Sequence, residues 1–206
     1  MKTVDCILLG AGRSARMGSP KLLAPLGDRT LFETVLTSYT ASSLRSVCAV
    51  VAGWLPGFAA IAARYENERV HFLQIARPCM MSESLKTGWT WVQEHQRPDG
   101  VMISLADKAA VGTETIDVMV RSYSAGDHAI CVPVHAGRWG HPVVISSSLG
   151  EEILRIEGDR GAVEVLAAHR SEVREIPVET DEVLFDIDSA ADLAALKARL
   201  GLEREC

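Results

Sequence analysis

The sequence has 206 residues, 48% of them hydrophobic, and a formal net charge of −6, so it can bury a sizeable core but lacks the basic balance of a nucleic-acid binder. No Pro/Gly/Ser-rich or charge-rich linker divides it, and residues 1–206 read as a single domain. Its most apolar stretch, residues 48–63, is shorter than a membrane span and is broken by Gly53, Pro56 and Gly57, so neither nucleic acid nor membrane is an expected partner.

In chain order, residues 6–9 form an apolar run that reads as a strand buried on both faces. The start, Met1-Lys2-Thr3, leads straight into it rather than into a signal peptide. Five cysteines (Cys6, Cys48, Cys79, Cys131 and Cys206) form no C-x-x-C pair, and a reduced cytoplasm is the expected location. At the carboxyl end of the first strand comes Gly10-Ala11-Gly12-Arg13-Ser14-Ala15-Arg16-Met17-Gly18-Ser19-Pro20-Lys21. That end of a strand is where open α/β sheets bind ligands. Glycines leave no Cβ between a ligand and backbone N–H groups, and Arg13, Arg16 and Lys21 bring three cations to one turn. Such a loop suits a polyphosphate, and Lys21, after Pro20 in a polar stretch, reads as lying outside the core.

The loop is not a Walker loop, because five residues separate Gly12 from Gly18 and Leu22 follows Lys21. Gly10-x-Gly12-x-x-Ala15 does match a dinucleotide fingerprint with a final alanine. Gly18, Pro20 and Pro25 would interrupt the helix of such a unit, which favours a nucleoside triphosphate. A turn at Gly27-Asp28 then precedes a helix over 31–42. Strands are predicted at 47–51, 70–75, 101–105, 130–134, 142–145 and 173–176, and helices at 58–65, 82–94, 114–124 and 162–169. A last helix opens at Ser189, with Asp192 three residues on and Leu193, Leu196 and Leu200 inward. The alternation predicts a three-layer α/β fold with a mostly parallel central sheet.

Asp107 follows the apolar strand at 101–105. It reads either as a helix cap or loop acid or, given a phosphate loop elsewhere, as a ligand of Mg²⁺, which takes one or two carboxylates when it bridges phosphates. Asp188, in Asp186-Ile187-Asp188-Ser189-Ala190-Ala191-Asp192, is its candidate partner. The macrodipole of the final helix suffices to explain Asp192 but accounts less completely for Asp186 and Asp188. Gly140-His141-Pro142 precedes an apolar strand, and the six histidines show no zinc spacing. Gly158-Asp159-Arg160-Gly161 reads as a turn and the start of a helix, and Ser82 and Ser84 as caps of the third helix. No Ser/His/Asp or Cys/His nucleophile set emerges.

Taken together, these residues resemble a family. Residues 9–23, Leu9-Gly10-Ala11-Gly12-Arg13-Ser14-Ala15-Arg16-Met17-Gly18-x-x-Lys21-Leu22-Leu23, are similar to the signature loop of the nucleotidyltransferases related to molybdenum cofactor guanylyl- and cytidylyltransferases. Met81-Ser82-Glu83-Ser84-Leu85, Ala106-Asp107, Gly140-His141-Pro142, Gly158-Asp159-Arg160-Gly161-Ala162 and Asp186-Ile187-Asp188 follow in the order of the cytidylyltransferase branch. The resemblance spans nearly the whole chain. It implies a Rossmann-like fold, Mg²⁺, and transfer of CMP from CTP to molybdopterin, with apo molybdenum hydroxylases or their chaperones as partners. It implies nucleotide contacts from Leu9, Gly10, Ala11, Gly12, Arg13, Ser82, Ser84 and His141, catalytic roles for Arg16, Lys21 and Asp107, and Mg²⁺ on Asp107 and Asp188.

The sequence departs from the family pattern at Gly10, at Met80, at Lys108-Ala109 after Asp107, and at Ser189-Ala190-Ala191. These changes bear on substrate identity more than on nucleotide binding. Two other functions stay open: an NADPH-dependent oxidoreductase similar to the reductase of nicotine blue, which Gly10-x-Gly12-x-x-Ala15 permits, and a nucleotide-binding accessory protein without turnover.

Overall fold

The computed structural model describes residues 2–12, 20–159 and 161–202. Strand β1 (Val4–Gly10) is followed by a 3₁₀ turn, Lys21–Leu23, a small hairpin of β2 (Pro25–Leu26) and β3 (Arg29–Thr30), and helix α1 (Leu31–Thr40). Next come β4 (Val47–Ala52), α2 (Pro56–Tyr65), β5 (Val70–Ile75), α3 (Met81–His95), β6 (Gly100–Leu105) and α4 (Thr113–Ser124). The remainder is β7 (Ile130–His135), β8 (Arg138–Trp139), β9 (Val143–Ser146), α5 (Gly150–Arg155), α6 (Val163–Ala168), β10 (Val173–Pro177) and α7 (Ala190–Arg199).

All seven residues of β1 are buried, and their alternation divides the interior. Cys6 and Leu8 point into one cluster, with Phe32, Leu36, Phe58, Met119 and Leu196 from α1, α2, α4 and α7. Ile7 and Leu9 point into the other, with Leu85, Trp89, Ile153 and Val165 from α3, α5 and α6. A sheet with both faces apolar needs helices on both, and the result is three layers. The strand order is β10-β7-β9-β6-β1-β4-β5, with β8 on β7. β1 pairs in parallel with β4 and β6, and β5 and β10 also pair in parallel with their neighbours. β9 runs antiparallel between β6 and β7. The predicted α/β fold with a mostly parallel sheet is therefore observed, and it is Rossmann-like.

The topology selects one place on this sheet. From β1 the chain moves outward to β4 and β5, then crosses back to β6 on the other side of β1. Right-handed crossovers in opposite directions put α3 on the opposite face from α1 and α2. β1 and β6 thus flank the switch point, at whose carboxyl end such sheets leave a crevice. Leu9 lies opposite Leu105, and Ala106 N–H donates to the Leu9 carbonyl at 2.9 Å, so the two strands end side by side.

Several boundaries differ from the sequence reading for local reasons. α2 begins at Pro56, which suits a first helical turn where its missing N–H is not needed. Residues 25–30 form a hairpin rather than a bare turn. Helix α5 carries a single buried residue, Ile153, so it has no apolar periodicity to read. Ser189 and Asp192 do form the capping box of α7 and Leu196 is fully buried, but Leu200 is 44% exposed because α7 ends at Arg199. Among the described residues no helix is long and apolar enough to cross a membrane.

Helix α3 lies very close to the sheet at Gly88. A Cβ there would stand 2.7 Å from Ile7 Cγ2 and 2.9 Å from Val50 Cγ2. Gly88→Val should overpack this contact and destabilise the fold by about 1–3 kcal/mol, read as a lower denaturant midpoint at unchanged slope.

Candidate active site

The chain leaves β6 through Ala106 and Asp107, and the 3₁₀ turn at Lys21–Leu23 faces the same edge of the sheet. The Lys21 ammonium donates to Asp107 Oδ2 at 2.8 Å, to the Ile187 carbonyl at 2.8 Å and to Asp188 Oδ1 at 3.3 Å. These acceptors use all three of its donors. The lysine side chain is only 14% exposed, so its burial is greater than a polar loop suggests. Burial opposes its charge, but Asp107, by charge and hydrogen bond, and Asp188 outweigh that and raise its pKa. Asp107 and Asp188, predicted as metal partners, therefore meet at one cation.

Asp107 Oδ1 is buried and has no hydrogen-bond partner among the described residues. An orphaned carboxylate oxygen is costly in a fold and is the hard, anionic donor that Mg²⁺ or Mn²⁺ takes. Among the described residues no three His, Cys, Asp or Glu side chains converge, so a divalent ion here would complete its shell from phosphate and water, as Mg²⁺ does. The residues present fit such an ion.

The glycine-rich loop divides. Leu9 and Gly10 end β1, Ala11 is buried, and Gly12 is exposed, with no atom of the described residues within 4 Å of where a Cβ would stand. Gly10 is needed by the protein itself, since a Cβ there would crowd Phe32 Cε2 at 3.3 Å and Leu22 Cδ1 at 3.4 Å. Arg13 and Arg16 lie outside the described residues.

Ser82 and Ser84 are buried in the first turn of α3 and cap nothing. The N-cap is Met80, and Ser84 Oγ donates to the Met81 carbonyl at 2.9 Å. The turn at Gly158-Asp159 does the capping from a distance: Met81 N–H donates to Asp159 Oδ1 at 2.8 Å, and Ser82 N–H to the Gly158 carbonyl at 3.1 Å. The first half of the Gly-Asp-Arg-Gly motif thus closes the amino end of α3. Gly161, at φ 55°, sits where a Cβ would be 2.8 Å from Met81 Sδ.

Gly140 lets its segment pass tightly against the chain at Val183, whose carbonyl a Cβ would approach to 2.5 Å. His141 N–H then donates to that carbonyl at 3.0 Å. The ring is held beside the strand ends, and its Nδ1 is buried without a partner among the described residues. Burial, then the nearby Lys108 charge, lower its pKa against the opposing pull of the Ile103 backbone, Asp186 and Asp107. Lys108 itself is 4% exposed and pairs with Asp186 Oδ1 at 2.8 Å. In the sequence Lys108 stands out only as a departure from the family pattern, although a lysine directly after a strand-end aspartate is the available signal.

A histidine whose folded pKa is depressed binds fewer protons than its unfolded form, so its contribution to stability is present above the unfolded value and lost as pH falls. His169, between Glu152 and Glu172, has a raised pKa and the opposite sign. In a His169→Gln background the denaturant midpoint should fall from about pH 7.5 to about pH 5.5, and His141→Gln should remove part of that fall.

Known proteins are similar to this chain along most of its length. Residues 6–173 match the MobA-like NTP transferase domain family. The molybdenum cofactor cytidylyltransferase of Escherichia coli (strain K12) is 28% identical over 207 residues, covering 97% of this chain and 98% of that one. Rv0371c from Mycobacterium tuberculosis H37Rv superposes with a TM-score of 0.80 at 26% identity, covering 96% of this chain and 98% of that one. A structure of Rv0371c in complex with manganese gives a TM-score of 0.77 at 24% identity, covering 96% and 99%. The family match extends from β1 into β10 and takes in Lys21, Asp107 and His141, and the chain belongs to the MobA-like NTP transferase domain family of nucleotidyltransferases.

Proposed function

We propose that this nucleotidyltransferase transfers CMP from CTP to molybdopterin, with release of pyrophosphate and with Mg²⁺ as its metal, in the cytoplasm and in the service of apo molybdenum hydroxylases or their chaperones. The observation that carries the reading is the meeting of Lys21, Asp107 and Asp188 at the switch point of the sheet. The likeness to the cytidylyltransferase of Escherichia coli supports the choice of CTP and molybdopterin, and the manganese complex of Rv0371c supports a divalent ion.

The chemistry needs no protein nucleophile. An acceptor phosphate monoester has a second pKa of about 6 and is mostly dianionic at neutral pH. Asp107 and Asp188 would hold the ion, which supplies positive charge at the α-phosphate when bound. The Lys21 ammonium, which bonds both of those carboxylates, would turn to the β- and γ-phosphates and, with Arg16, offset the charge of departing pyrophosphate. Ser82, Ser84 and His141 would contact the nucleotide, as would Leu9, Gly10, Ala11, Gly12 and Arg13. A neutral His141 can donate or accept one hydrogen bond without adding charge.

Thermal melting with CTP, GTP, ATP and NADPH, each with and without Mg²⁺, tests the nucleotide. CTP with Mg²⁺ at 100 times its dissociation constant should stabilise by about 2.7 kcal/mol. A shift with NADPH alone, or with no triphosphate, overturns the reading.

The carboxylates are tested by pyrophosphate release against Mg²⁺ concentration. Asp107→Asn and Asp188→Asn should each slow transfer about a hundredfold or more, because a neutral amide replaces an anionic oxygen where charge is needed. The double variant should be little worse than the worse single one, since both act through one ion. A wild-type curve for Asp188→Asn would remove Asp188 from the metal and leave Asp107 as the only protein carboxylate on it.

A further inference from the structure

Residues 185–188 form an irregular link between the 3₁₀ turn Asp181–Leu184 and α7. Ile187 is fully buried in the cluster beneath α1, α2, α4 and α7, while Asp186 and Asp188 are exposed. Alternate residues of an extended segment face the same way, and here each aspartate meets a lysine from a different loop. Lys108 takes Asp186 Oδ1 at 2.8 Å, and Lys21 takes Asp188 Oδ1 at 3.3 Å and the intervening Ile187 carbonyl at 2.8 Å.

The two lysines are not equivalent. Lys21 lies at the crevice, where a phosphate can draw it away from Asp188. Lys108 has a side chain only 5% exposed, set in the turn between β6 and α4, where its N–H donates to the Leu105 carbonyl and its carbonyl accepts from Val111 N–H. A buried ammonium without a counter-charge is expensive, so Lys108 is held to Asp186 whatever Lys21 does.

We propose that Lys108 is a positioning residue for the metal site: through Asp186 it fixes the 186–188 segment so that Asp188 stays opposite Asp107 once Lys21 has moved to the nucleotide. This rests on the reading of Asp107 and Asp188 as the metal's carboxylates. The Lys108-Ala109 departure after Asp107 then serves the family's chemistry in this chain by tethering a loop.

The test is Mn²⁺ binding to the full chain with CTP and no acceptor, followed by electron paramagnetic resonance of free Mn²⁺. Asp186→Asn and the double variant Lys108→Met/Asp186→Asn, which leaves no buried charge unpaired, should each weaken Mn²⁺ about tenfold or more, with no further loss in the double. CTP binding in chelator, read by thermal shift, should match the wild type, which a general loosening of the fold would not allow. Wild-type Mn²⁺ affinity in either folded variant overturns this proposal and leaves the reading of the two metal carboxylates standing. A wild-type chain that takes no Mn²⁺ with any nucleotide overturns the reading of Asp107 and Asp188 and the proposal with it.

Discussion

Because β1 has no exposed residue, it must be covered on both faces and paired on both edges, and these demands place the site. Its one charged residue, Asp5, is fully buried at the amino end, where Arg45 holds it bidentately at 2.9 and 2.5 Å. The strand is anchored by a satisfied ion pair at one end and opens into the glycine-rich turn at the other. Helices α1 and α3, forced to opposite faces, leave the gap at the carboxyl end into which Lys21, Asp107 and Asp188 project.

Satisfaction of polar groups follows the same polarity. Asp107 Oδ1 and His141 Nδ1 are buried without partners among the described residues, and both lie at the carboxyl edge. The remaining orphan, the Ser46 hydroxyl just before β4, is neutral and sits at the amino end of the sheet. Lys108 is buried beside the first two but paired. Elsewhere among the described residues the buried charges are matched: Asp5 by Arg45, and Glu33, which also closes the capping box of α1, by Arg64. Among the described residues the two buried titratable atoms without a partner thus lie together at one edge of the sheet, as stability given up for chemistry would place them.

The sequence was legible where physics is local. The unbroken burial of β1 and β4, the capping box at Ser189 and Asp192, and the placement of Asp107 at a strand end all come from short stretches. Long-range bonds left no such trace. Asp159 caps α3 from 78 residues away, and nothing in Gly158-Asp159-Arg160-Gly161 says which helix it will close. Residues 142–145 read correctly as a strand, yet only the folded chain inserts β9 antiparallel between β6 and β7, because a short apolar pattern fixes a face and not a neighbour. The position of Lys108 directly after a strand-end aspartate is its only local signal, and its burial depends on Asp186 arriving from the far end of the chain.

That wide separation has a consequence for assembly. Lys21 and Asp107 lie 86 residues apart, and Lys21 and Asp188 lie 167 apart. Contacts between distant residues close large loops before any binding energy is gained, so they form late and slow the folding of parallel sheets. During synthesis from the amino end, β1, β4 and β5 can pair while Lys21 still lacks both its carboxylates. The cluster of Lys21, Asp107 and Asp188 becomes complete only when the 186–188 segment docks, so a chain that has reached β6 holds Lys21 with Asp107 but without Asp188.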